Sequence, residues 1–310
     1  YIYVAIRAPM MVEPEAATDV FAVDNGNGSD VPAFNSGFPV DMSFWTNTGG
    51  DNTKIASRLT GARYLETDAT GAEQADTSYA FDYPSGWYKF ALAATNYAWM
   101  WKRGKGYMDA VAYSGNGTAG RTVPHSLSVI PEMIWFKSRN NAYNWYVYHK
   151  DTGIDKRLVL DGNDGTETGY GTLVFNNTQP SSSVITLGSW GVINGSGNNN
   201  IAYLFATLAG ISKVGSYTGN GSNQTIDCGF SAGARFILIK RTDATGHWYM
   251  WDSLRGIVAG NDPRLLLNNT EAQETTDDSV DPHNSGFIVN QLSVTALNVS
   301  SGTYIFYAIA

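Results

Sequence analysis

Cysteine is almost missing: Cys228 is the single one in 310 residues. One thiol cannot close an internal disulfide, which excludes the small disulfide-held secreted scaffolds. Within Thr225–Phe230 it reads as a small buried strand residue and not as a reactive thiol. Charge is scarce too, with 15% charged residues and a net charge of −8. Nucleic-acid binding needs a basic face to replace counterions, so that class of partner is not expected. No apolar run approaches the roughly eighteen residues of a membrane-spanning helix, so membrane insertion is not expected either. Catalytic signatures are also missing, with no Gly-x-Ser-x-Gly elbow, phosphate loop or His-Glu-x-x-His.

Glycine (33 residues), aromatics (13%) and abundant Asn, Ser and Thr take the place of charge. Aromatic and β-branched side chains suit a pleated surface, and Gly and Asn tolerate the positive φ of tight turns. Helical periodicity is scarce, so the expected class is all-β. The chain also repeats itself. Tyr113-Ser114-Gly115-Asn116-Gly117 returns as Tyr217-Thr218-Gly219-Asn220-Gly221, 104 positions later. Met133–Arg139 answers Phe236–Arg241, and Trp145 answers Trp248. Arg157–Leu160 answers Arg264–Leu267, and Ile201–Ala206 answers Tyr304–Ile309.

A more divergent copy precedes these two. Phe21–Gly28 holds the place of the strand and Asn-Gly turn, Pro39–Trp45 that of Met133–Phe136, Arg63–Glu66 that of the Arg-Leu strand, and Tyr97–Trp101 that of the closing strand. Tyr1–Ile6 looks like the closing strand of a further copy upstream, so a piece of a longer polypeptide is expected. The expected organisation is a terminal strand at 1–11, then repeats at 12–105, 106–210 and 211–310. Six or seven short strands per repeat, separated by Asn-Gly, Asp-Gly and Ser-Gly turns, imply tandem antiparallel β-sandwiches of jelly-roll or lectin-like type. Short joints at Trp101–Lys105 and Ala209–Ser212 imply a rigid array.

The strings YMDAVAYSGNGT (Tyr107–Thr118), GNGTAGRTVPHSLSVIPEMIWFKSRNNAYNWYVYHKDTG (Gly115–Gly153) and GSYTGNGSNQTIDCGFSAGARFILIKRTDATGHWYMWDS (Gly215–Ser253) resemble a repeat of tail-fibre and other virion structural proteins of marine tailed bacteriophages. The resemblance runs from about Phe21 to Ala310 and is strongest over the second and third repeats. It implies a location on the virion surface, other virion proteins as partners, and assembly as a homo-oligomer such as a trimer. It brings no catalytic residues. The expected function is therefore a non-enzymatic appendage segment acting as a rigid spacer, with host glycan as a ligand. A capsid-decorating or head-fibre protein and a glycan depolymerase are the alternatives.

Candidate chemistry is thin. Of His125, His149, His247 and His283, the first three have no histidine counterpart in a sister repeat, and no copy shows two histidines plus a carboxylate at ligand spacing, so no metal or acid–base set is expected from them. Glycan cleavage uses two acids, but nothing in the sequence pairs Glu132, Asp151, Glu167, Asp252 or Glu274. Asp24–Asp30 and Asp161–Glu167 alternate oxygen ligands with glycines, as calcium loops do, which makes Asp161, Asn163 and Glu167 the calcium candidates. Asn-Gly turns between strands would look the same. Trp87, Trp99, Trp101, Trp190 and Trp251 exceed what one small sandwich core needs. Sugars stack on such rings, so Trp87, Trp190 and Trp251 are the glycan-binding candidates; packing between units or between chains is the competing use. Trp145 and Trp248, shared by two repeats, are assigned to the core.

Overall fold

The computed structural model describes residues 11–27, 30–89 and 93–310. The strand expected at Tyr1–Ile6 lies outside the described residues. The first unit contains β1 (Phe21–Asn25), β2 (Phe34–Asn35), β3 (Met42–Asn47), β4 (Lys54–Ser57), β5 (Arg63–Glu66), β6 (Gln74–Ala75), β7 (Ala80–Tyr83), β8 (Gly86–Tyr88) and β9 (Asn96–Trp101). The second contains β10 (Met108–Ser114), β11 (Arg121–Pro124), β12 (Met133–Ser138), β13 (Tyr146–His149), β14 (Lys156–Val159), β15 (Glu167–Thr168), β16 (Val184–Leu187) and β17 (Asn199–Phe205). Two short helices, α1 (Gly171–Phe175) and α2 (Gly191–Asn194), belong to it as well. The third contains β18 (Ser212–Thr218), β19 (Gln224–Asp227), β20 (Phe236–Arg241), β21 (Trp248–Asp252), β22 (Leu265–Leu266), β23 (Val280–His283), β24 (Gly286–Val289) and β25 (Thr303–Ile309).

Each unit is an antiparallel all-β sandwich with the same plan. The main sheets run β1-β9-β3-β4-β5-β6, β10-β17-β12-β13-β14-β15 and β18-β25-β20-β21-β22. In each, the closing strand inserts between the opening strand and the next long one. The opposing sheet is small: β2-β8-β7, β11-β16 or β19-β24-β23. Strands number nine, eight and eight among the described residues, above the expected six or seven, because two-residue strands carry too little pattern to be seen.

The repeated motif is a turn held by side chains. Tyr113 and Tyr217 donate their hydroxyls to the carbonyls of Ile193 and Leu297. The buried side chains of Asn194 and Asn298 accept from the N–H of Asn116 and Asn220, and donate back across the turn to Thr118 and Ser222. Gly115 and Gly219 sit where a Cβ would strike the carbonyls of Gly195 and Val299. Gly117 and Gly221 have φ of +73° and +80°, which favours glycine. The Tyr-x-Gly-Asn-Gly sequence is thus a structural lock on one end of each sandwich.

The expected array of separate units is replaced by a closed ring. One face of every main sheet enters a single shared core that gathers Phe44 and Trp101, Met133 and Phe205, Phe236 and Tyr307. The other face covers the small sheet of its own unit, in three separate clusters. Both faces of the central strands are therefore buried, which is why β12 and β20 read as continuous apolar runs.

Three corresponding backbone bonds close the ring. The N–H groups of Glu73, Thr166 and Gln273 donate to the carbonyls of Arg139, Thr242 and Thr48, each at 2.8 Å. Trp145 Nε1 reaches Glu66 O at 2.7 Å, and Trp248 Nε1 reaches Val159 O at 2.9 Å. Thr53 holds that position in the first unit and is too short, so Thr67 Oγ1 donates to Leu267 O at 2.7 Å instead. The joints between units gather at one end, the base. There Lys105 N–H bonds Val12 O and Ala310 N–H bonds Ile211 O, so the described chain enters and leaves at the base. The Asn-Gly turns occupy the opposite end, the tip.

Candidate functional site

The sequence candidates separate on burial. Trp87 and Trp251 are fully enclosed, which corrects their assignment to a glycan-binding face. Trp87 stacks on Phe34, Tyr79 and Phe81 inside the first unit. Trp251 lies beside Tyr249 inside the third. No ring face of either is open to a sugar. Trp99 and Trp101 pack between units: Trp99 Nε1 donates to Asp252 at 3.1 Å, and Trp101 meets Phe236 edge-on at 5.6 Å.

Trp190 alone of the three glycan candidates reaches solvent, half-buried just before α2. It stands edge-on to Tyr170 at 5.4 Å and Tyr146 at 5.8 Å. The guanidinium of Arg157 lies 4.3 Å over Tyr170 and 5.5 Å over Trp190. Glu167 fixes it through Nε and Nη2 at 3.1 and 2.8 Å, and takes the Tyr170 hydroxyl at 2.9 Å. These donors hold the Glu167 carboxyl below the usual range against the opposing effect of burial. Beside this shelf lies a recess of about 100 Å³ that includes Tyr143, 37% exposed. An aromatic rim with an ion pair beneath can take one sugar ring.

The calcium assignment is corrected. Asp161 accepts Trp145 N–H at 2.8 Å and the Asn144 amide at 3.0 Å. Asn163 gives its carbonyl to the ammonium of Lys240 at 3.2 Å, and Glu167 is taken by Arg157. A cation placed among these oxygens would compete with an ammonium and a guanidinium already there. Asp24 accepts Asn35 N–H at 2.7 Å, while Gly28 and Ser29 of that loop lie outside the described residues. Among the described residues no group of three or more His, Cys, Asp and Glu side chains could hold a metal ion.

The acids are likewise distributed singly. Glu132 pairs with Lys150 at 2.7 Å and Asp252 with Arg255 at 2.5 Å, the latter pair fully buried. Glu274 caps the backbone of Thr275 and Thr276. Asp151 lies 3.9 Å from His149, whose pKa burial and the neighbouring Lys150 push down to about 3. His125 accepts Leu127 N–H, His247 faces Asn268, and His283 faces Ser285. Cys228 is buried, and burial raises its thiol pKa to about 12. None of these groups presents the arrangement of base, nucleophile and orienting partner that catalysis requires.

Sequence reasoning missed the clefts at the seams of the ring. One of about 520 Å³ lies between the second and third units, and one of about 430 Å³ between the first and second. They occupy corresponding positions. Arg139 crosses the smaller one to Glu73, with Nε and Nη2 at 2.8 and 2.9 Å. In the larger one Thr242 and Thr166 hold those positions. That exchange of an ion pair for two hydroxyls was the available signal. It acquires meaning only once the two positions are known to face each other.

Among the described residues no helix is long and apolar enough to cross a membrane. No curated protein and no solved structure matches the chain. One family model, a domain of unknown function (DUF7483), matches residues 103–310, more than half of the chain, and the chain belongs to that family.

Proposed function

We propose that the chain is a non-enzymatic structural protein of a virion surface, a segment of a tail fibre or related appendage that touches host glycan. The observation that carries this reading is the closed ring of three sandwiches on one core, with each candidate acid engaged separately. Such a ring is a stiff block, and among the described residues its candidate acids are held singly by Lys150, Arg157 and Arg255. In this reading it serves as a compact knob and not as a link in an extended rod. One chain supplies the threefold packing that a trimer of single sandwiches would otherwise build. Other virion proteins attach at the base, and the tip and the Trp190 shelf face the host.

The test is adsorption competition, with purified protein added to host cells before phage. Blocked adsorption is expected, and unhindered attachment at saturating protein would sink the host-contact part of the reading. Release of sugar from host polysaccharide would favour a depolymerase instead. Copy number per particle separates an appendage from a capsid-decorating protein.

A further inference from the structure

The cleft between the second and third units is bordered by an edge strand with unbonded main-chain groups. Its inner wall comes from the third unit, with Ser216 to Thr218 of the edge strand β18, Thr303 to Ile305 of β25, and Thr242 and Asp243; the outward main-chain groups of β18 belong to Ser212, Val214, Ser216 and Thr218. Ser212 exchanges both bonds with Leu208, and Val214 exchanges both with the Thr207 hydroxyl. Ser216 and Thr218 are exposed, line the cleft, and have no partner for these groups among the described residues. At the corresponding edge of the second unit Arg121 takes one such group, the carbonyl of Ser114. The outer wall comes from the second unit, with Thr152, Lys156 and Thr166.

The strand that carries these two N–H and two C=O groups lines a polar space of about 520 Å³. Unbonded main-chain groups at an edge are hazards that proteins usually cover. The free stretch holds only two outward residues, whereas added strands generally span about five or six, so it suits a small ligand better than a peptide strand. Asp151, Lys156 and Asp243 line the cleft, and Arg241 pairs with Asp243 at 3.0 Å, so the charges of the two signs balance, which favours a ligand without net charge. Hydroxyl groups that both donate and accept match alternating N–H and C=O groups.

We propose that this cleft binds a neutral oligosaccharide, with the main chain of Ser216 and Thr218 as its principal hydrogen-bonding surface. The proposal deepens the glycan-contact part of the proposed function and rests on it, but it uses a site separate from the Trp190 shelf.

The experiment is saturation-transfer NMR on the full chain with maltotriose, cellotriose, mannotriose and lactose at millimolar concentration. At least one is expected to receive saturation. The double variant Thr166→Glu/Thr242→Arg rebuilds across this cleft the ion pair that crosses the first, and should abolish the signal while circular dichroism and melting stay unchanged. All of these measurements are made in a Trp190→Ala background, which removes the shelf as a second source of signal. Absence of transfer to all four sugars would overturn the proposal. So would a signal surviving in the double variant, or binding in the cleft of a synthetic peptide with the Thr303–Ile309 sequence and of no sugar. Sugar binding without blocked adsorption would leave this site standing and remove the host-contact part of the proposed function; the converse would remove only this site.

Discussion

Replacing Trp248 by phenylalanine should damage the ring more than the lost ring volume explains. The indole is fully buried and donates to Val159 O across the seam at 2.9 Å. Phenylalanine fills most of the space but leaves that carbonyl without its donor. Losing part of a buried aromatic costs about 1–2 kcal/mol, and orphaning a buried polar group adds about 1–3 kcal/mol. Trp135 supplies the control: it is equally buried, but its Nε1 has no hydrogen-bond partner among the described residues. Trp135→Phe should therefore cost only the volume part, about 1–2 kcal/mol. Trp145→Phe should behave like Trp248→Phe, because its indole bonds Glu66 O at 2.7 Å. Guanidinium unfolding of the three variants measures the difference, provided the ring unfolds in one transition. Equal losses at Trp135 and Trp248 would refute the seam bond as a stabilising element. Separate transitions for the units would refute the shared core.

Three further outcomes follow from the same geometry. A fragment of residues 103–310 lacks the first unit, so Trp145 loses Glu66 O and Phe236 loses Phe21, Phe44 and Trp101. It should aggregate or self-associate in light scattering, and a stable monomer with native melting would contradict the ring. Asp262 is buried near Asp278 and Asp281, and burial followed by their charges raises its pKa to about 7. A raised carboxyl contributes stability that is full below its unfolded pKa, near 3.8, and is lost as pH rises through 7. Asp262→Asn should flatten the stability profile between those pH values, and an unchanged slope would refute the assignment. Gly219→Ala drives a Cβ into Val299 O and should cost about 1–3 kcal/mol, read as a lower melting point with the rest of the fold intact.

Much of the fold was legible because the repeat is carried by local chemistry. The Asn-Gly lock needs glycine at Gly115 and Gly219 and a tyrosine two residues earlier, so those residues recur where the chain turns. The doubly covered strands announced themselves as the apolar runs Met133–Phe136 and Phe236–Ile239. Ring closure was not legible. It depends on Trp145, Lys137 and Arg139 finding backbone and side chains of Glu66, Thr70 and Glu73 in another unit, and no periodicity records such a meeting. The surplus tryptophans were the indirect trace. They exceed one sandwich core because Trp99 and Trp101 belong to a fourth core shared by all units. Trp87 and Trp251 misled for a related reason, since the small sheets enclose more aromatic surface than their short strands suggest.

The seams differ in chemistry where their geometry is the same, and that difference bears on why the ring closes in one order. Corresponding positions carry Ser57, His149 and Asp252, all buried. Ser57 meets the Tyr203 hydroxyl of the second unit, while Asp252 takes the Trp99 indole of the first. Lys240 reaches Asn163 in the second unit, and Lys137 reaches Thr70 in the first. An identical set of seams would let a unit pair equally well with any neighbour, including one from another chain, which is the route to domain swapping. Here a wrong pairing would set Asp252 and Arg255 against a partner without the Trp99 indole, or Lys240 against a seam without its carbonyl. Each leaves a buried charged or polar group short of a bond, at about 1–3 kcal/mol. Apolar contacts close the core without regard to order, and the mismatched polar residues at the seams select which unit sits beside which.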